Sequence, residues 1–127
     1  MNRILIDTSV WIEFLKGNKA YFAPMIALMD QGEIYTLELI FAELVQGVKN
    51  RREMNLIEDF YRQLKIVDQP GLIFESGEFS RNAGLLNRGI GLIDSVLIHA
   101  TQKFQLELWT LDKKILGFLQ GDRVYRP

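Results

Sequence analysis

The chain of 127 residues carries 15 Lys and Arg against 16 Asp and Glu, and 48% of its residues are hydrophobic. That balance describes one globular domain with material for a sizeable core, and it argues against a polybasic coat for nucleic acid while leaving room for an enzyme that grips phosphates locally. The lack of cysteine excludes disulfides, zinc–thiolate centres and cysteine nucleophiles, and suits a reducing cytoplasm.

Residues 1–6 form a short apolar run read as a buried strand; so few apolar residues before Asp7 do not make a signal peptide. No run approaches the roughly 18 apolar residues of a membrane span. Asp7-Thr8-Ser9 supplies helix-start chemistry, Val10, Trp11 and Phe14 continue the apolar stripe, and Gly17-Asn18 stops it. A second helix is expected over 20–30, with Phe22, Ile26 and Met29 facing inward. Ile34-Tyr35-Thr36 reads as a strand, and 38–46 as a helix ending at Gly47. Residues 51–64 place Leu56, Ile57, Phe60 and Leu64 on one helical face. Lys65-Ile66-Val67 is a strand broken by Gln69-Pro70-Gly71. Helices follow over 73–87 and 94–103, a strand over 106–110, and a last short strand at Val124-Tyr125. Strands alternating with helices predict a parallel sheet covered on both faces, with any ligand beyond the carboxyl ends of the strands.

Four acids stand where acids are awkward. Asp7 follows Ile4-Leu5-Ile6, Glu43 lies within Leu39-Ile40-Phe41-Ala42-Glu43-Leu44-Val45, Asp94 follows Gly91-Leu92-Ile93, and Asp112 follows Leu108-Trp109-Thr110-Leu111. Buried carboxylates are rare unless compensated. Each has a plain explanation. Asp7 and Asp94 fit as helix caps, Asp112 as a turn residue before Lys113-Lys114, and Glu43 as the partner of Lys49 or Arg51. Glu43 fits its explanation least well, because its helical neighbours are Leu39, Ile40 and Gly47. Taken together, four acids at strand ends and on an inward helix face form a set of oxygen ligands suited to Mg²⁺ or Mn²⁺. Such an ion supports phosphodiester hydrolysis by an activated water. Thr8, Ser9 and Thr110 flank these acids, as orienting hydroxyls or simply as caps and strand formers. His99, the single histidine, lies roughly 140° around a helix from Asp94 and reads as structural. Trp11 and Trp109 read as core, and Lys113-Lys114, Arg51-Arg52 and Arg88 as solvated charges that also have the chemistry to meet phosphates.

These segments resemble the four motifs of PIN-domain proteins, VapC-type toxins in particular: Asp7-Thr8-Ser9-Val10-Trp11-Ile12, Ala42-Glu43-Leu44 with Gly47, Ile93 to Thr101 around Asp94, and Leu108 to Lys114 around Asp112. The resemblance spans nearly the whole chain and treats 1–127 as one PIN-like domain. It implies an α/β/α sandwich on a parallel sheet and an Mg²⁺- or Mn²⁺-dependent endoribonuclease. Asp7, Glu43, Asp94 and Asp112 would be its catalytic and metal-holding quartet. It further implies a homodimer, a VapB-type antitoxin whose tail covers the site, and a structured RNA target such as tRNA or rRNA. The chain departs from the family pattern at Ile40, where a small hydroxyl residue is common, and at His99, where alanine is usual.

Three other readings remain open on the residues alone. A stand-alone RNA-processing PIN nuclease shares every motif. A receiver-like phospho-accepting domain shares the size, the strand-end acids and Mg²⁺, but lacks an acidic pair at the first strand and gives Glu43 no role. A non-catalytic binding protein would keep the acids for capping alone.

Overall fold

The computed structural model describes residues 2–119 and 121–127, so Met1 of the predicted first strand lies outside the described residues. Four short strands, β1 (Ile4–Ile6), β2 (Ile34–Thr36), β3 (Lys65–Ile66) and β4 (Glu107–Trp109), form one parallel sheet in the order β3-β2-β1-β4. Seven α-helices among the described residues cover it in an α/β/α arrangement: α1 (Thr8–Leu15), α2 (Lys19–Asp30), α3 (Glu38–Gln46), α4 (Arg51–Gln63), α5 (Leu72–Ala83), α6 (Leu92–Lys103) and α7 (Lys113–Phe118).

All three residues of β1 are fully buried, as expected of a central strand covered on both faces. Its Ile4 pairs with Ile34 on one side and Glu107 on the other. The chain leaves β1 for β2 and β3 on one side and returns to β4 on the other. The carboxyl end of β1 is therefore the point where the strand order reverses, where open α/β sheets place their ligands. Trp11 knits this frame together. It is fully buried and meets Phe14, Phe41 and Phe60 at centroid distances of 6.1, 5.2 and 5.7 Å, joining α1 to α3 and α4. Among the described residues its indole N–H has no hydrogen-bond partner, so the aromatic packing must outweigh the cost of an unmet donor.

Helix α3 and strand β2 lie where the sequence places them. Five expectations need correction. In α2 the buried residues are Met25 and Leu28, with Tyr21 stacked on Trp109 at 5.9 Å. The inward stripe is thus Tyr21-Met25-Leu28, one residue ahead of the expected one. Phe22 is 55% exposed and lies along the edge against Phe14. In α4, Leu56 is likewise exposed, whereas Ile57 is buried. The helix expected over 73–87 stops at Gly84, whose φ of 65° closes α5, and a separate 3-10 turn Leu86–Arg88 follows. Helix α7 is absent from the sequence-based expectations, because Lys113-Lys114 and Gly117 look like loop chemistry. It forms because Asp112 caps it and Ile115 enters the core. Finally, Val124 makes only an isolated parallel bridge to Leu108 in place of a strand.

Candidate active site

The site is built on the end of β1. Asp7 occupies the cap position of α1, but its side chain makes no capping bond. Its carboxylate is buried, and Oδ2 accepts hydrogen bonds from Ser9 Oγ at 3.0 Å and Thr110 Oγ1 at 2.6 Å. The capping explanation of Asp7 therefore fails on its side chain. Ser9 Oγ in turn accepts from the Leu111 N–H at 3.2 Å, and Thr110 Oγ1 from the Asp112 N–H at 3.1 Å. Two hydroxyls thus tie the end of β1 to the loop after β4.

Asp112 does serve as a cap, since its Oδ1 accepts from the backbone N–H of Lys114 at 2.8 Å and of Ile115 at 3.2 Å. That use accounts for one oxygen and the geometry of α7. Glu43, on α3, pairs with neither Lys49 nor Arg51. It is half-buried and accepts from Thr8 Oγ1 at 2.8 Å, so the first turn of α1 holds it. Asp94 is not a cap either. The cap position of α6 belongs to Gly91, and Asp94 stands in the first helical turn, with no hydrogen bond to its carboxylate among the described residues.

The electrostatics relate the four. Burial pushes the Asp94 carboxyl above the ordinary aspartate range. Repulsion from Asp112, then Asp7, then Glu43 pushes the same way, and Lys114 opposes it. All four carboxylates therefore act on one region at the carboxyl edge of the sheet. As placed, however, no group of three or more Asp, Glu or His side chains among the described residues lies close enough to hold a metal ion directly. The donors are all oxygens and mutually repelling, which suits a hard cation that keeps much of its water and takes few direct protein ligands. They do not form a closed all-protein cage.

His99 stands apart from this cluster. It stacks on Phe79 at 5.4 Å, and its Nε2 lies 3.4 Å from Glu75 Oε1. Two features of the surroundings escaped sequence reasoning. A groove of about 380 Å³ opens beside Glu43, lined by Ile12, Leu15, Leu44, Val48, Leu56 and Ile57. Its lining includes the exposed apolar residues Ile12 and Leu56, whose exposure the sequence does not reveal. The charge of Lys114 also acts on Asp94 without an ion pair between them, and the unrecognised helix α7 places it there.

Residues 4–118 match the family model of the PIN domain. The chain belongs to the PIN domain family. It is 30% identical over 115 residues to "Ribonuclease VapC32" of Mycobacterium tuberculosis, an alignment covering 88% of this chain and 86% of that protein. The same fold occurs in a toxin–antitoxin complex from Klebsiella pneumoniae, with a TM-score of 0.75 at 18% identity, covering 97% of this chain and 96% of that one. It occurs again in VapBC2 from Rickettsia felis bound to a DNA fragment from its promoter, with a TM-score of 0.62 at 22% identity and 86% of both chains covered. Within this PIN domain, the four acids singled out in the sequence stand at the carboxyl edge of the sheet or act upon it.

Proposed function

We propose that the protein is a divalent-metal-dependent endoribonuclease, the toxin of a toxin–antitoxin pair, with Asp7, Glu43, Asp94 and Asp112 as its catalytic and metal-holding acids. The observation that carries this is the set of acids at the topological reversal point of the sheet, with Asp7 and Glu43 held by hydroxyls and the Asp94 carboxyl raised first by burial and then by the three others. The family membership and the VapC32 relative support RNA as substrate. When bound, Mg²⁺ or Mn²⁺ would lower the pKa of the attacking water and neutralise charge on the phosphodiester.

The chain's own residues prepare that chemistry. Thr110 and Ser9 hold Asp7 by Oδ2, and Thr8 holds Glu43 by Oε1. The backbone of α7 holds Asp112 by Oδ1. Each of these carboxylates is anchored at one oxygen, which leaves the other for water or metal. Asp94 is anchored at neither and is the member most dependent on a cation.

An antitoxin segment that covers the site has the apolar groove beside Glu43 to lie in. The exposed Leu86 and Leu92, which border one hollow between α5 and α6, offer a second copy an apolar contact. Among the described residues no helix is long and apolar enough to cross a membrane, and we place the activity in the cytoplasm.

The test is sequencing of RNA ends after induction of wild type, Asp7→Asn and Asp94→Asn, with purified protein assayed in Mg²⁺, Mn²⁺ and chelator. New ends in tRNA or rRNA with wild type only, lost on chelation, are expected. Cleavage that survives exhaustive chelation, or full activity in Asp94→Asn, would overturn the reading. Ends confined to precursor RNAs, without growth arrest, would favour a stand-alone processing enzyme over a toxin.

A further inference from the structure

Lys114 is an exposed lysine whose side chain takes a defined path toward the loop before Asp94. Its backbone N–H donates to Asp112 Oδ1 at 2.8 Å, fixing the residue in the first turn of α7. Its side chain runs over Gly89, a glycine with φ of 76° in the loop that leads to Asp94. A Cβ on Gly89 would stand 3.2 Å from Lys114 Nζ and 3.4 Å from Cε. The outer stem therefore lies across Gly89, close to where a Cβ would stand, although the residue as a whole is exposed. Yet among the described residues no carboxylate lies within 4.0 Å of the ammonium. A lysine placed to neutralise Asp94 or Asp112 would close that distance. This one is held near the acids with its three donors unspent. Arg88, which precedes Gly89 in the chain, holds its guanidinium over the Phe118 ring at 5.0 Å, at the end of the same helix α7.

We propose that Lys114 is a phosphate-binding residue, its ammonium holding a backbone phosphate of single-stranded RNA next to the carboxylate cluster. The assignment rests on the nuclease reading above. A polyanion approaching four carboxylates needs a fixed cation at their edge as well as the metal among them. A lysine whose outer stem already rests over Gly89 loses less freedom when it makes that contact.

The experiment measures binding apart from cleavage. A randomised, fluorescently labelled single-stranded RNA pool is titrated with Glu43→Gln protein in millimolar Mg²⁺, over a range of KCl concentrations. In that background, Lys114→Gln is expected to weaken binding about tenfold, the scale of one charged hydrogen bond. It should also flatten the slope of log K against log salt by about 0.7, the value for one phosphate contact on a single strand. Lys114→Arg should restore the slope, and Lys113→Gln, next in sequence but not lying over Gly89, should leave it alone. In the Glu43-containing enzyme, Lys114→Gln should raise KM far more than it lowers kcat. Its Mn²⁺-induced rise in Tm should be undiminished, because a positive neighbour of the acids has been removed. An unchanged slope in Lys114→Gln, or an equal loss in Lys113→Gln, overturns the assignment. If that result comes with intact wild-type cleavage, only Lys114 is wrongly assigned. Absence of both binding and wild-type cleavage would instead remove the nuclease reading, and this proposal with it.

Discussion

Thr110 and Asp7, 103 residues apart in sequence, meet in a 2.6 Å hydrogen bond that joins the loop after β4 to the end of β1. The same hydroxyl oxygen accepts from the Asp112 N–H. Thr110→Val keeps the shape but leaves the buried Asp7 Oδ2 with Ser9 as its remaining donor and strands the Asp112 N–H. The expected loss is about 1–3 kcal/mol, read as a lower denaturant midpoint with unchanged m-value. Thr110→Ser should recover most of it. A valine variant as stable as wild type would show that the bond contributes nothing.

Asp94 gives stability a pH dependence whose sign is fixed. Its folded pKa is raised above the unfolded value, chiefly by burial and then by Asp112, Asp7 and Glu43. The native state therefore binds more protons than the unfolded chain between the two values, and stability rises as pH falls through the folded pKa. In chelator, this group destabilises the fold at neutral pH and relents on mild acidification. Asp94→Asn should raise the metal-free Tm at neutral pH by a few degrees. Millimolar Mg²⁺ or Mn²⁺ should raise the wild-type Tm, since a ligand confined to the native state stabilises it, and should raise that of Asp94→Asn less. Scanning calorimetry with and without divalent ions checks both signs.

Thr8 reaches Glu43 across 35 residues, at 2.8 Å. Thr8→Val should leave Glu43 free to turn away, lowering RNase kcat/KM by roughly tenfold, the scale of one charged hydrogen bond. Thr8→Ser should restore activity. Wild-type rates in the valine variant would mean that Glu43 needs no such support.

His99 belongs to the contact between α5 and α6. There Glu75 receives Lys103 and His99, whose hydrogen bonds, Lys103 first, hold its carboxyl below the usual range. His99→Ala should lower Tm, through the lost Phe79 stack, and leave RNA cleavage near wild type. The pairing with Glu75 is fully present at neutral pH and is lost as pH falls through the lowered Glu75 pKa. Glu75→Gln and wild type should therefore converge in stability in acid. A large activity loss in His99→Ala would return the histidine to the site.

Much of this arrangement is legible along the chain, for local reasons. The buried strand before Asp7 and the bounds of α3 follow from apolar runs and a terminal glycine. Glu43 is conspicuous because its own helix offers it no partner. The rest depends on contacts that spacing does not encode. The stripe of α2 is misjudged because Phe22, the largest apolar residue there, finds Phe14 at the edge rather than the core. Helix α7 hides behind two lysines and becomes a helix only through the Asp112 cap and a place for Ile115. Asp94 looks like a cap because it is polar near a helix start, but Gly91 already holds that position. The hydroxyl ties from Thr8 and Thr110 become visible only when the sheet has brought distant segments together.

The central position of β1 also governs timing. Its partner β2 follows it within about thirty residues, but its other edge stays open until Glu107–Trp109 has been synthesised. Non-local strand pairing of this kind is slow to form. Asp7 and Asp112 cannot be brought to the same edge before that last pairing. A growing chain on the ribosome is therefore without the assembled carboxylate cluster until the segment carrying β4 and Asp112 has emerged.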